Sequence, residues 1–264
     1  MTQFETPPSD QDITLPITTT EEDVQENVSQ YDTVSAGYRE IVNEDAAIET
    51  QQSEALRFLG DVTGKRVFDL GCGEGKLTRR LVELGAKHVV GCDASRSQIE
   101  AAKAKKQSEN LDVEYILSDA EHFTYPEPFD LATSTLVLLH AHNEAELETF
   151  FQSTFNVLKD GGKFVSVTYN PDYQGLGKVK YNRRFTKIDN NEIRVDFMKN
   201  GEDGTFTSAT FGDLSKEDYE IAAKNSGFNR FEWEPMQIHG DSQNEFWDGF
   251  TEDCPYIDFI AYKE

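Results

Sequence analysis

Val67-Phe68-Asp69-Leu70-Gly71-Cys72-Gly73-Glu74-Gly75 is the stretch on which the reading of this chain turns. An apolar run ends in an acid and then in three glycines at alternating positions. The pattern predicts a buried strand, a tight turn and a helix opening behind it. Glycine at every second position removes the Cβ atoms that hold a ligand off the backbone, and it permits φ > 0. The helix that follows points its free N–H groups and the positive end of its dipole back at the turn. A small molecule lying against the main chain fits such a place.

Working outward, short apolar runs alternate with helical segments from Lys65 onward. Strands are expected at Arg66–Leu70, His88–Cys92, Val113–Leu117, Leu131–Val137 and Lys163–Tyr169. Between them Leu77, Leu81 and Leu84 mark one helical face, and Ile99 with Ala102 a second. Leu147, Phe150, Phe151, Phe155 and Leu158 mark a third. This alternation argues for a parallel sheet with right-handed crossovers. After Tyr169 the pattern changes to three strand-like runs, Val179–Phe185, Glu192–Met198 and Thr205–Phe211, separated by Asn-Asn and Gly-Glu-Asp-Gly turns. A helix from Lys216 to Ser226 and two last strands, Phe228–Gln237 and Ile257–Tyr262, complete the chain.

Spacing narrows the ligand. A dinucleotide turn is expected as G-x-G-x-x-G, whereas the glycines here stand as G-x-G-x-G. The second strand ends in Asp93, 22 residues after Gly71, where a carboxylate can accept from both hydroxyls of a ribose. The third ends in Ser118-Asp119-Ala120, where a carboxylate can accept from an adenine amino group. Three acids at neighbouring strand tips outline an adenosine-shaped groove.

Asp69 to Gly75, Asp93 and Asp119-Ala120 resemble the successive motifs of class I S-adenosylmethionine-dependent methyltransferases. The likeness is strong over residues 60–170. It implies a Rossmann-like α/β fold: a seven-stranded, mostly parallel sheet with its last strand antiparallel, helices on both faces, and a small antiparallel β cap after the fifth strand. It also implies S-adenosylmethionine as the cofactor. Asp69, Gly71, Gly73 and Gly75 would abut its methionine portion, Asp93 and Ala94 its ribose, and Asp119 and Ala120 its adenine. Thr135 would lie near the methyl group. Tyr31-Asp32-x-x-x-Ala36-Gly37-Tyr38 resembles a segment of small-molecule members whose helix closes over the cofactor, which makes Tyr31 and Tyr38 candidate cofactor contacts. Five regions are expected: an acidic tail at 1–19, N-terminal helices over the cofactor at 20–60, the cofactor-binding half at 61–170, a cap over the substrate at 171–212, and the rest of the core sheet at 213–264.

Methyl transfer from a sulfonium is an in-line displacement with an activated leaving group, so holding the reactants close and aligned does most of the work. A general base is needed only for an acceptor that arrives protonated. His140 and Tyr169 are the candidates for catalysis, and Asn170, Tyr173, Arg183 and Arg184 for acceptor binding. The last two belong to an anomaly, five cations between Lys178 and Lys187 in a chain whose net charge is −24. That overall charge disfavours contact with nucleic acid phosphates or anionic membranes. Three cysteines without a CxxC pair argue against a disulfide framework or a cysteine metal site. No apolar run approaches the roughly 20 residues of a membrane span, and no secretory signal stands at the start. A cytoplasmic monomer or homodimer acting on an O or N atom of a small molecule is the expectation. An RNA or protein methyltransferase and a non-catalytic cofactor-binding subunit are the alternatives.

Overall fold

The computed structural model describes residues 46–109, 112–188, 191–198, 204–205, 207–239 and 245–264. Tyr31, Tyr38, the expected tail and the part of the expected N-terminal helices before residue 46 lie outside the described residues. The chain folds in the order α1 (Ala46–Leu59), β1 (Arg66–Leu70), α2 (Lys76–Glu83), β2 (His88–Asp93), α3 (Arg96–Glu109) and β3 (Glu114–Leu117). Then come β4 (Phe129–Thr135), α4 (Glu144–Val157) and β5 (Leu158–Tyr169). A meander follows: β6 (Val179–Lys180), β7 (Arg183–Ile188), β8 (Glu192–Phe197) and β9 (Thr207–Gly212). Last are α5 (Lys216–Asn225), β10 (Arg230–Pro235) and β11 (Tyr256–Lys263).

Seven strands form the main sheet in the order β10-β11-β5-β4-β1-β2-β3. β11, seventh in chain order, runs antiparallel to both of its neighbours, while β1 to β5 pair in parallel. Neighbouring residues on the inner strands feed opposite cores, because side chains alternate across a strand. Val67, Val89 and Leu131 pack under α1, α2 and α3, whereas Phe68, Val90 and Ala132 pack under α4 and α5. In the second core the Phe151 ring meets those of Phe164, Tyr219, Phe228 and Phe259 at centroid separations of 5.4 to 6.4 Å. Truncating such a ring to alanine costs about 3–5 kcal/mol. Both helices on that face carry their own start signals. Asn143 accepts from the Glu146 N–H ahead of α4, and Ser215 forms a reciprocal capping box with Asp218 ahead of α5.

The strand bounds differ from expectation for local reasons. β4 stops at Thr135 instead of Val137, because Leu136 turns into the left-handed region at φ 58° and Leu138–His140 wind into a 3-10 turn. β5 starts at Leu158, so Asp160-Gly161-Gly162 lies inside a strand and not in a turn before it. The cap is a four-stranded sheet, β6-β7-β8-β9, where three strands were expected. Val179–Phe185 folds back on itself: Tyr181 and Asn182 take φ values of 54° and 58° and close a two-residue hairpin between β6 and β7. Positive φ at both central residues matches the twist of the flanking strands.

One buried cluster does not belong to the apolar cores. Asp258 on β11 and Glu54 on α1 are both fully buried. Arg57 donates twice to Glu54, at 2.8 Å each. Gln237 N–H and the His239 ring also contact Glu54. Burial, reinforced by the Glu54 charge, pushes the Asp258 carboxyl far above its usual range. Folding therefore takes up a proton at Asp258, and stability from this group falls as pH rises above about 4. In Asp258→Asn the melting temperature relative to the parent should become more favourable between pH 5 and pH 8. An offset that does not change with pH would remove Asp258 as the titrating group.

Candidate functional site

The strand order reverses between β1 and β4, and the crevice at that reversal is where open α/β sheets bind ligands. The loop from β1 to α2 lies at its centre. Gly71, Gly73 and Gly75 take φ values of 65°, 53° and 76°, which side chains rarely adopt. Their surroundings differ. A Cβ on Gly71 would fall 2.2 Å from Val137 Cγ2, and one on Gly75 would fall 2.1 Å from the Tyr115 hydroxyl. Among the described residues, a Cβ on Gly73 would meet nothing within 4 Å. Two of the glycines thus let the loop pack down, and the middle one faces away from the described packing.

The acids divide into supports and rim. Asp69, 2% exposed, accepts from the Thr78 hydroxyl at 2.6 Å and so ties β1 to α2 beneath the loop. Burial pushes its carboxyl up to about 7, with Thr78 pulling the other way and the Asp93 charge adding to the rise. Asp93 accepts from Gly73 N–H through Oδ2 and from Ser95 N–H through Oδ1, both at 2.8 Å. It locks the glycine loop to the tip of β2, with half-buried Ala94 beside it. Asp119 accepts from His122 N–H at 2.9 Å and contacts the His122 ring at 2.7 Å. Ala120 is buried beside it. At the end of β4, Thr135 Oγ1 is shielded from solvent and makes no hydrogen bond among the described residues.

Past Thr135 the chain enters a second space, a pocket of about 430 Å³ including the part open to solvent. The core contributes Leu136, Leu139, His140, Tyr169 and Tyr256 to it, and the cap contributes the inward side chains of β7, β8 and β9. His140, half-buried at the end of the 3-10 turn, is pushed down to about 4 by desolvation, with His142 adding repulsion, so its ring is neutral at physiological pH. Tyr169 is pushed far up by burial and stays a neutral phenol. The cap is seated at Gly212, where a Cβ would lie 1.9 Å from the Ala141 carbonyl oxygen. That contact brings β9 against the turn that carries His140.

The remaining sequence candidates divide between the pocket and its surroundings. Asn170 is spent on the turn after β5: its side chain donates to Cys254 O at 3.0 Å and accepts from Asp172 N–H at 3.1 Å. Tyr173 packs edge-on to Tyr169 with centroids 6.4 Å apart, and backs the pocket wall without lining it. Arg183 lines the pocket. Arg184, one residue on, faces away and donates to Asp196 Oδ2 at 2.9 Å, while Arg194 holds the other carboxylate oxygen at 2.8 Å. Sequence reasoning missed Phe185, Phe197, Phe211 and Tyr256 as pocket residues. The alternation along β7 to β9 was the signal that names the first three.

These features fit S-adenosylmethionine on grounds visible in the fold: an open cradle over Gly73, a carboxylate clamped at the tip of β2, and an orphaned threonine hydroxyl at the tip of β4. Residues 67–162 match the methyltransferase domain family. They form a class I S-adenosylmethionine-dependent methyltransferase domain. A ubiquinone biosynthesis O-methyltransferase of Brucella anthropi is 34% identical over 115 residues, covering 43% of this chain and 45% of the relative. One of Nitrobacter winogradskyi is 32% identical over 120 residues, or 46% and 44%. The match thus spans less than half the length of these relatives. Among solved structures, an S-adenosylmethionine-dependent methyltransferase from Clostridium acetobutylicum superposes with a TM-score of 0.64 at 19% identity. It covers 89% of this chain and 99% of that one. The [4+2]-cyclase SpnF superposes with a TM-score of 0.63 at 17% identity, covering 91% and 96%. These superpositions speak to the fold.

The contrast between the glycines is directly testable. Gly73→Ala should lower stability by only about 1–2 kcal/mol, the cost of a left-handed alanine, yet weaken S-adenosylhomocysteine binding at least tenfold by calorimetry. Gly71→Ala should lower the melting temperature more, through its overlap with Val137. Parent-like binding by Gly73→Ala would show that the cradle is not the ligand's seat.

Proposed function

We propose that this protein transfers a methyl group from S-adenosylmethionine to an O or N atom of a small molecule held under the β6–β9 cap. The observation that carries the reading is an adjacency. Ser134 pairs with Leu70 in the sheet, so Thr135 ends β4 level with the start of the glycine loop, and the next residue, Leu136, is a wall of the aromatic pocket. Two ligand spaces therefore meet at the tip of β4, which is what an in-line displacement between two bound partners requires. The cofactor would supply an electrophilic methyl group on a sulfonium.

This chain's own residues would do the rest. Gly71, Gly73 and Gly75 give the backbone close approach. Asp93 would accept from ribose hydroxyls and Asp119 from the adenine amino group. Leu136, Leu139 and the cap exclude water from the acceptor. His140 Nδ1 or Nε2 would take the proton from an acceptor that arrives protonated, and Tyr169 would orient it by donating its phenolic hydrogen. The net charge of −24 favours a small acceptor over a polyanion such as RNA. Among the described residues no helix is long and apolar enough to cross a membrane.

Incubation with methyl-labelled S-adenosylmethionine and a metabolite extract, followed by mass spectrometry, should yield a labelled product heavier by one CH₂. Cofactor binding with no labelled product from any extract would instead favour a binding subunit. For the acceptor so found, His140→Ala should lower kcat by roughly 100-fold, the lower end of general-base contributions. Because the neutral ring persists down to about pH 4, the loss should be uniform from pH 5 to pH 8. An acidic limb near 6.5 that disappears in His140→Ala would contradict the neutral histidine.

A further inference from the structure

We infer that Leu136 is a positioning residue for methyl transfer: its left-handed backbone seats the cofactor loop, and its side chain closes the acceptor pocket. The words cofactor and acceptor rest on the methyl-transfer reading, but the geometry stands apart from it. Strand parity carries the inference. Side chains alternate along β4, so Leu131 packs under α1, α2 and α3, and Ala132 under α4 and α5. The same alternation gives Thr133 and Thr135 to the first face and Ser134 to the second, where its hydroxyl meets that of Ser166 at 2.7 Å. An extended Leu136 would therefore enter the second core, and Val137 the first. The structure shows the reverse: Leu136 packs with the first core and Val137 with the second. One residue makes the exchange, Leu136 itself, at φ 58°.

Each consequence of the exchange reaches a ligand space. Val137, turned to the second core, comes down on Gly71, where a Cβ would fall 2.2 Å from its Cγ2. Leu136 becomes a wall of the aromatic pocket together with Leu139 and Tyr169. From Val137 the chain winds into the 3-10 turn, and the His140 N–H donates to Val137 O at 3.0 Å. A bulky residue at positive φ is an outlier, and such strain persists only where the surroundings over-determine it. Here the Leu136 N–H donates to Val167 O at 2.9 Å, which anchors the bend to β5. Glycine would take this φ without strain. Leucine adds what glycine lacks, apolar bulk in the pocket wall.

The test separates bend from wall by substitution at this one position. S-adenosylhomocysteine reports on the loop and 2-naphthol on the pocket, each titrated by calorimetry on the full chain. Leu136→Gly keeps the bend and loses the wall. Its S-adenosylhomocysteine affinity should stay within roughly twofold, while naphthol weakens by about fivefold or more, the share of a partly buried leucine. Leu136→Val keeps apolar bulk, but its branched Cβ resists a left-handed backbone, so S-adenosylhomocysteine should weaken by about fivefold or more. Unbranched Leu136→Met should hold both ligands within roughly threefold. A residue that served stability alone would weaken both ligands together, in step with the melting temperature. Parent-like S-adenosylhomocysteine binding by Leu136→Val overturns the backbone half. Parent-like naphthol binding by Leu136→Gly overturns the side-chain half, as does failure of the parent protein to bind naphthol. If Leu136→Val does not fold, as judged by circular dichroism, Leu136→Ala replaces it. Alanine keeps the Cβ penalty of a left-handed residue, so Leu136→Ala should melt about 2 °C or more below Leu136→Gly, and equal melting overturns the strained bend. Failure of S-adenosylhomocysteine to bind the parent would sink the methyl-transfer reading, while the naphthol and melting comparisons would still judge Leu136.

Discussion

Close approach of backbone at the tip of β1 is the constraint on which the rest of the molecule depends. Two neighbours press on the loop, Val137 over Gly71 and Tyr115 of β3 over Gly75, and the loop's own Cys72 presses on Gly91 of β2, where a Cβ would lie 2.9 Å from the cysteine side chain. None of these contacts leaves room for a methyl group. They hold β1, β2, β3 and the end of β4 in one arrangement, and the Asp93 carboxylate then pins Gly73 N–H across the gap. Among the described residues, that packing is released over Gly73. The cradle is thus a by-product of how tightly its two sides are packed.

A second close approach builds the aromatic pocket under the cap. Gly212 against the Ala141 carbonyl draws the last cap strand onto the 3-10 turn, and Leu136 bends the chain there at a positive φ that costs about 1 kcal/mol or more. The bend is held by the Leu136 N–H donating to Val167 O at 2.9 Å. Had β4 run straight to Val137, His140 would have been carried away from the cap. The strained residue and the sterically excluded one together place a neutral histidine beneath an aromatic lid.

Much of this was legible in the sequence because it is written in local chemistry. G-x-G-x-G after an apolar run, and acids at the next two strand tips, state the loop geometry and the sheet order at once. The four-stranded cap was less legible. Tyr181-Asn182 carries no glycine, so a turn that needs two positive φ values looked like the middle of a strand. Asp69 was read as a cofactor contact from its place in the motif. Its hydrogen bond to Thr78 depends on a helix register that strand-end position does not encode. Arg183 and Arg184 looked equivalent as neighbours in a basic run. Strand alternation separates them, but which parity faces inward is set by the docking of the cap at Gly212, a contact between distant segments.

That separation also explains how an acidic protein keeps a cation inside. Arg184 and Arg194 both donate to Asp196, buried beneath them on the outer face of β8, so the cap's outer surface carries its charges in compensated groups. The inner face bears apolar side chains, and the contacts of Arg183 there include ring faces and a carbonyl, whose negative ends suit a guanidinium. Ring faces suit a cation at this depth, while the neutral His140 ring adds no competing charge. The described lining therefore carries one guanidinium and one neutral imidazole among aromatic side chains, the first turned inward by strand parity in the cap and the second carried there by the bend at Leu136.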